Sequence, residues 1–317
     1  MLKYTVRRLL EAIPLVFLVT IIAYLIINMA PGDPVNMFIN PETSSPMDIE
    51  AIRQSLGLDK PLPIRYLIWL KGVLTGDLGK SFQHATPVTE MILERMPNTL
   101  VLAVSATILS FAVSIPAGIF SAIKRNTWVD YFFSTIAFIG ISLPAFWFGL
   151  MLILLFSLKL QWLPSGDMRS NFDQFILADR LKHLILPSLV LGMGGMASQM
   201  RYMRSSMLEV IRQDYIRTAR SKGLAENVVI FGHGLRNALL PIITLLGLII
   251  PGLFSGAVIT ETIFSWPGMG RLGIEATFMR DYPVQMGVIL MASVLVIFGS
   301  LLADIGYALA DPRIKYN

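Results

Sequence analysis

Six stretches of this chain run for about twenty residues or more with almost no charge, the length an α-helix needs to cross the hydrocarbon core of a bilayer. They are Leu9–Met29 and, approximately, Asn98–Ile123, Tyr131–Leu158, Leu184–Tyr202, Ala238–Ile263 and Val284–Leu309. Inside lipid every backbone N–H and C=O must find a partner within the protein, so runs of this kind are restricted to helices. Charged residues make up only 15% of the 317 positions against 54% hydrophobic ones, too few to coat a soluble globule. The expected fold is an all-α integral membrane protein with six transmembrane helices. The first run is longer than a secretory signal core, and Asn28-Met29-Ala30 lacks a small-x-small cleavage pattern, so it reads as a retained span.

Orientation follows from lysine and arginine in the short loops. Lys3, Arg7 and Arg8, the pair Lys124-Arg125, the segment 201–236, and Arg313 with Lys315 all fall on one side of a six-span chain. That side is expected to be cytoplasmic, with both termini. These cations flank apolar spans and form no basic domain, so membrane lipid is an expected partner and nucleic acid is not. The chain has no cysteine, and its three histidines, His84, His183 and His233, stand far apart, so no metal or thiol site is expected.

The organisation expected is residues 1–30 as N-terminus and first span, 31–97 as a small helical extracytoplasmic cap, 98–310 as a five-helix core containing the loop 203–237, and 311–317 as a cytoplasmic tail. In the cap, Ser45-Pro46-Met47-Asp48 supplies an N-cap, a first-turn proline and an acid at the third helical position, and Gly57 supplies a stop. A second short helix starts at Thr86-Pro87 and is expected to end before Pro97. Gly79-Lys80-Ser81 has the look of the end of a phosphate-binding loop, but that pattern needs a glycine where Leu74 stands. Any nucleotide chemistry then belongs to another chain.

The most charged stretch lies between two apolar spans. Drawn as one helix from Ser206 to Gly223, it places Met207, Ile211, Tyr215 and Ala219 on one stripe, with Arg212, Arg217, Arg220 and Lys222 on other faces. One reading is an amphipathic helix lying on anionic lipid. The other is a helix held in a partner's groove. The stripe shrinks towards Ala219 and Gly223, which suits close approach to a protein backbone better than it suits a grip on acyl chains. Gly223 can also end the helix at positive φ.

Arg217-Thr218-Ala219-Arg220-Ser221-Lys222-Gly223 followed by Leu235-Arg236-Asn237-Ala238-Leu239-Leu240-Pro241 resembles the coupling motif of ATP-binding-cassette importer permeases. The dipeptide/oligopeptide/nickel branch is the most similar, over nearly the whole chain: Pro31-Gly32-Asp33-Pro34, Gly76-Asp77-Leu78-Gly79, Trp266-Pro267-Gly268-Met269-Gly270-Arg271-Leu272 and Arg280-Asp281-Tyr282-Pro283 come in the family's order. The early Pro-Gly-Asp-Pro and the long first external segment resemble the B-type permease of a pair. Arg217 stands where the general motif has glutamate, and the interval to Leu240-Pro241 is long; both departures occur in the peptide branch. The resemblance implies a transport subunit without enzymatic activity. It implies that Asp214, Tyr215, Arg217, Thr218, Ala219, Arg220, Lys222 and Gly223 couple to an ATPase. It further implies a second homologous permease, two ATPase subunits that bind ATP and Mg, and an extracytoplasmic substrate-binding protein. No cofactor is expected in this chain. Peptide is the implied cargo, with glutathione or a nickel chelate as alternatives.

Pro116, Pro144 and Pro251 fall inside spans, each as a fixed kink or a hinge. Gly252 to Gly256, Ser114 with Gly118, and Gly299 with Ala303 are small pairs that permit close helix contact, within the chain or with a partner. Ser142, Pro144, Trp147 and Ser255 are candidates for a translocation path, against ordinary packing. Glu261 and Asp304 lie near span ends, where interfacial solvation accounts for them. Span centres lack the acidic and basic residues that an ion-coupled secondary transporter uses, and no catalytic constellation of an intramembrane hydrolase is present.

Overall fold

A computed structural model describes residues 2–39, 45–170, 176–239, 242 and 257–310. The described elements are α-helices, with a short 3-10 helix (Pro34–Met37) and two π-helical stretches (Ile153–Lys159 and Val228–Gly234), joined by turns, and one isolated β-bridge between Lys80 and Pro87. Four helices contain segments long and apolar enough to cross a membrane: α1 (Leu2–Met29), α4 (Val88–Ile123), α7 (Leu177–Val210) and α12 (Tyr282–Ala310). A bent pair, α5 (Trp128–Ser142) and α6 (Ala145–Leu152) with its π-helical continuation to Lys159, makes up to five. The expected span Ala238–Ile263 lies mostly outside the described residues, which keep the short α9 (Leu235–Ala238) and α10 (257–263). Leu10, Ile13 and Ile26 of α1 are more than half exposed, as expected of a helix whose solvent is lipid.

The chain divides into two compact units, residues 2–99 with 267–297, and residues 100–266 with 298–317. In the first, α2 (Pro46–Ser55) begins with the expected capping box: Ser45 Oγ accepts from Asp48 N, and the Asp48 carboxylate accepts from Ser45 N. Gly57, at φ +66°, turns the chain after it towards α3 (Leu62–Leu74). Between α3 and α4 the false phosphate loop has a structural task. Ser81 Oγ and the backbone N–H groups of Phe82 and Gln83 all donate to the Asp281 carboxylate, which is only 2% exposed. The segment 81–83 and Asp281, far apart in sequence, are thereby tied in one knot.

The helix that starts at Val88 does not end before Pro97; α4 runs unbroken to Ile123. Packing on both sides of the proline offsets its lost hydrogen bond. Val88 and Ile92 are buried against Leu272 and Ala276 of α11 (Met269–Phe278) and Val284 of α12, and Asn98 Nδ2 donates to Pro267 O at 2.8 Å. Thr99 Oγ1 accepts from Met269 N at 2.8 Å, one more tie just beyond the proline.

In the second unit the small residues of α4 meet α7. Ala106, Ser110, Ser114 and Gly118 recur every four residues and form one stripe along α4. A Cβ on Gly192 would sit 2.7 Å from Ala106 O, and one on Gly118 would sit 2.8 Å from Met200 O. Backbone contact this close needs glycine, which explains Gly192 in the weakly apolar span Leu184–Tyr202; Gly194 faces open space. The contact of Ser114 and Gly118 is therefore within the chain. Ser110 and Ser114 both donate to Gln199 Oε1, at 2.7 and 3.0 Å, in the buried seam.

The run Tyr131–Leu158 is not one straight helix. It bends by 107° between Ser142 and Ala145. Leu143 is extended, as the residue before a proline prefers, and Pro144 caps α6 at φ −60°, ψ 131°. Pro116, in contrast, sits within the unbroken α4. Glu261 is not held by interfacial solvation: its side chain is wholly buried, and the chain folds back over it as Trp266 N donates to Glu261 O at 2.8 Å. Pro251, Gly252 to Gly256 and the side chains of Ala303 and Asp304 lie outside the described residues.

Candidate functional site: the coupling segment

The helix drawn from Ser206 to Gly223 is two helices. α7 stops at Val210, Ile211 and Arg212 turn, and Gln213 is extended at φ −70°, ψ 149° before α8 (Asp214–Ser221) begins. The break resets the helical phase, so the stripe Met207, Ile211, Tyr215, Ala219 is not a single face. Met207 is fully buried in the α4–α7 core, whereas the inward face of α8 is Ile216 and Ala219. These two pack on Val229 and Val210 of the same chain. Ala219 thus faces its own chain, which leaves little room for a larger side chain. A three-residue spacing carries that face, where the stripe assumed four.

The outward face carries Tyr215, Arg217, Thr218, Arg220 and Lys222. Tyr215 is 42% exposed, and its hydroxyl accepts from Asn237 Nδ2 at 3.1 Å, which pins the ring beside α9. Thr218 Oγ1 donates back to Asp214 O at 2.9 Å. Arg217 and Asp214 make a wide, exposed pair at 3.4 Å, worth little in water. Arg220 forms a fork on Glu226, with Nη2–Oε1 at 2.6 Å and Nε–Oε2 at 3.1 Å. The guanidinium holds the Glu226 carboxyl below the usual carboxylate range. A depressed acid stabilises the fold above its unfolded pKa and loses that contribution as pH falls through the folded one. At neutral pH the brace is therefore in place and shapes the turn after α8. Lys222 ends the helix, and Gly223 follows at φ +75° with open space where a Cβ would point. The exposed face offers cations, a tyrosine and a free turn on a rigid base.

Gly223→Leu is expected to leave the chain folded, because the added side chain meets nothing within it; positive φ costs about 1–2 kcal/mol. Loss of ATPase association in a pull-down, with normal membrane expression, is the expected result. A helix lying on lipid would instead keep association and gain membrane affinity.

At the base of α7 stands a cluster that sequence reasoning missed. Arg204 Nε and Nη2 donate to the two Asp130 oxygens at 2.8 and 2.7 Å, and Nε also lies 3.1 Å from Ser121 Oγ. Ser121 donates to Asp130 as well, and Asn126 N donates to it at 3.0 Å. Asp130 is 3% exposed. The pair ties the α4–α5 loop to the helix that leads into α8. Its only sequence signal is an acid at the third position of α5, where the helix N-terminus favours a negative charge.

Of the path candidates, Ser142, Pro144 and Trp147 come together at the α5–α6 elbow. Ser142 Oγ donates to Phe138 O at 2.8 Å, and Trp147 is 44% exposed. Ser255 lies outside the described residues.

The sequence profile of the binding-protein-dependent transport system inner membrane component matches residues 114–316, and the profile of that component's N-terminal part matches residues 1–103. The chain belongs to this family. It is the permease subunit of an ATP-binding-cassette importer, a multi-pass inner-membrane transport component and not an enzyme. The oligopeptide transport system permease AppB of Bacillus subtilis (strain 168) is 47% identical, with all of both chains covered. The dipeptide transport system permease DppB of Alkalihalophilus pseudofirmus is 42% identical and the glutathione transport system permease GsiC of Escherichia coli (strain K12) 40%, again over all of both chains. A chain of the inward-facing MetNI methionine ABC transporter aligns with TM-score 0.58 at 15% identity, covering 70% of this chain and 96% of that one, a likeness of fold. Members of such systems work with ATPase and permease partners.

Proposed function

We propose that this chain is one of two permeases of a peptide importer, to which an extracytoplasmic binding protein delivers di- or oligopeptides. The observation that carries this reading is identity of 47% and 42%, end to end, with an oligopeptide and a dipeptide permease. The glutathione permease is also similar, at 40%, and glutathione is itself a small peptide, so the two cargoes share a chemistry. In this reading both termini and α8 are cytoplasmic, and the cap 31–97 is outside. Two ATPase subunits bind ATP and Mg and close on each other. The face of α8 bearing Tyr215, Arg217, Thr218, Arg220 and Lys222 receives that motion, with Asp214 at its start and Gly223 at its end. The Ala219 side faces the rest of the permease and passes the motion on. Ser142, Pro144 and Trp147, with Ser255, border the path.

The experiment is reconstitution of the chain in liposomes with its second permease, ATPases and binding protein. ATP-dependent uptake of labelled di- and oligopeptides, with no ATP turnover by this chain alone, is the expected result. Uptake of glutathione or a nickel chelate in place of peptides would reassign the cargo, and uptake driven by an ion gradient without ATP would overturn the reading.

The side assignment has its own test in this cysteine-free chain. Ser45 caps α2, so Met47, 83% exposed, is the better external site. Met47→Cys and Ser221→Cys are expected to react with an impermeant thiol reagent from opposite faces of the membrane. Reaction of both from one face would contradict the six-span orientation.

A further inference from the structure

A cavity of about 500 Å³ lies within the unit formed by residues 2–99 and 267–297. Three cations line it, Lys60, Arg65 and Lys80, and no carboxylate does. Lys60 and Lys80 are exposed and make no ion pair among the described residues. Arg65 spends one Nη2 bond on Asn28 Oδ1 at 2.9 Å and has other N–H groups left. The remaining wall is largely apolar and aromatic, with Tyr24, Trp69, Tyr282 and Met286. A site with a positive rim and an apolar wall suits an amphiphile with an anionic head.

Its depth narrows the class. Tyr24 lies five residues before the end of α1, and Met286 four residues after the start of α12. At 1.5 Å per residue these positions are about 7 Å and 6 Å inside the two spans, the level at which headgroups meet acyl chains. The neighbouring Leu25, Ile26 and Met29 of α1 are exposed apolar side chains that a lipid would cover. A volume near 500 Å³ is in the range of small-molecule sites and accommodates a headgroup with its glycerol, the chains running out along α1.

We propose that this cavity is a binding site for an anionic phospholipid of the adjoining leaflet, such as phosphatidylglycerol. The phosphate lies among Lys60, Arg65 and Lys80, and the glycerol and first methylenes lie against Tyr24, Trp69 and Met286. A zwitterionic headgroup brings its own cation to a rim that already has three, so the site selects against phosphatidylcholine. Because α1, α3 and α12 all line the cavity, a bound lipid would brace the cap on two spans. This inference does not depend on which cargo is carried or on which side the cap faces.

The test is intact-complex mass spectrometry of the assembled importer, released from detergent after incubation with phosphatidylglycerol or phosphatidylcholine. The paired variant is Lys60→Gln with Lys80→Gln, two exposed side chains outside the fold's core. Each lysine near a headgroup contributes roughly a fivefold gain in affinity, so the double variant is expected to bind phosphatidylglycerol roughly twenty-fivefold more weakly. The wild type is expected to retain one phosphatidylglycerol per permease and to discard phosphatidylcholine. Equal retention of both lipids, or undiminished retention by the variant, would overturn the proposal. Displacement of the lipid by glycerophosphate or inorganic phosphate at similar concentration would also overturn it, assigning the cations to a soluble anion.

Discussion

Asp130→Ala is expected to lower the stability of the purified permease by about 3 kcal/mol and to abolish uptake in the assembled importer. Removing one partner of a buried ion pair leaves the other charge uncompensated, at a cost of about 3–5 kcal/mol. The lower end applies because the Arg204 side chain is still 28% exposed and can recruit water. Arg204 and Ser121 both lose their acceptor, and so does Asn126 N. The loop between α4 and α5 then loses its tie to the end of α7, which a short turn at Ile211–Gln213 joins to α8. Thermal unfolding in detergent reads the first effect. A double variant with Arg204→Ala, destabilised by less than the sum of the two single changes, would show that the pair acts as one unit. Wild-type melting of Asp130→Ala would mean that the cluster carries nothing.

A similar loss is expected from Asp281→Ala, in the other unit. This carboxylate accepts from Ser81 Oγ, Phe82 N and Gln83 N, and it lies 3.4 Å from Val284 N at the start of α12. A buried donor left without its acceptor costs about 1–3 kcal/mol. With several donors orphaned together, about 3 kcal/mol or more is expected, concentrated in the 79–87 segment. Limited proteolysis is the measurement: rapid cleavage near Gln83 in the variant and protection in the wild type. Asp281→Asn, which keeps an acceptor oxygen, should recover part of the protection. Equal protection of Asp281→Ala would contradict the knot.

The expected spans were legible because lipid imposes length and apolarity on each helix separately, and the start of α2 because a capping box is written in four adjacent residues. What was not legible depended on contacts distant in sequence. Pro97 reads as a stop until Asn98 and Thr99 are seen bonded to residues 267 and 269. Gly79-Lys80-Ser81 carries no meaning without Asp281. Gly192 looks like a weakness in its span until Ala106 O is found beside it. In the coupling segment Gly223 ends the helix at positive φ as its residue type foretold, but the stripe is not one face, because one extended residue, Gln213, resets the helix phase. A pattern assigned to one helix cannot survive a break that local propensity does not mark. Asp130 and Arg204 are 74 positions apart, and nothing local pairs them.

In the proposed assembly the charged outer face of α8, and not its Ile216–Ala219 face, meets the ATPase. Single cysteines at Arg217, Lys222 and Ala219 in this cysteine-free chain, cross-linked in the assembled importer with a short bifunctional reagent, measure it directly. Arg217→Cys and Lys222→Cys are predicted to give a permease–ATPase product, while Ala219→Cys, 7% exposed against Val229, gives none. No product from either outer position, or an equal yield from Ala219→Cys, would contradict the account.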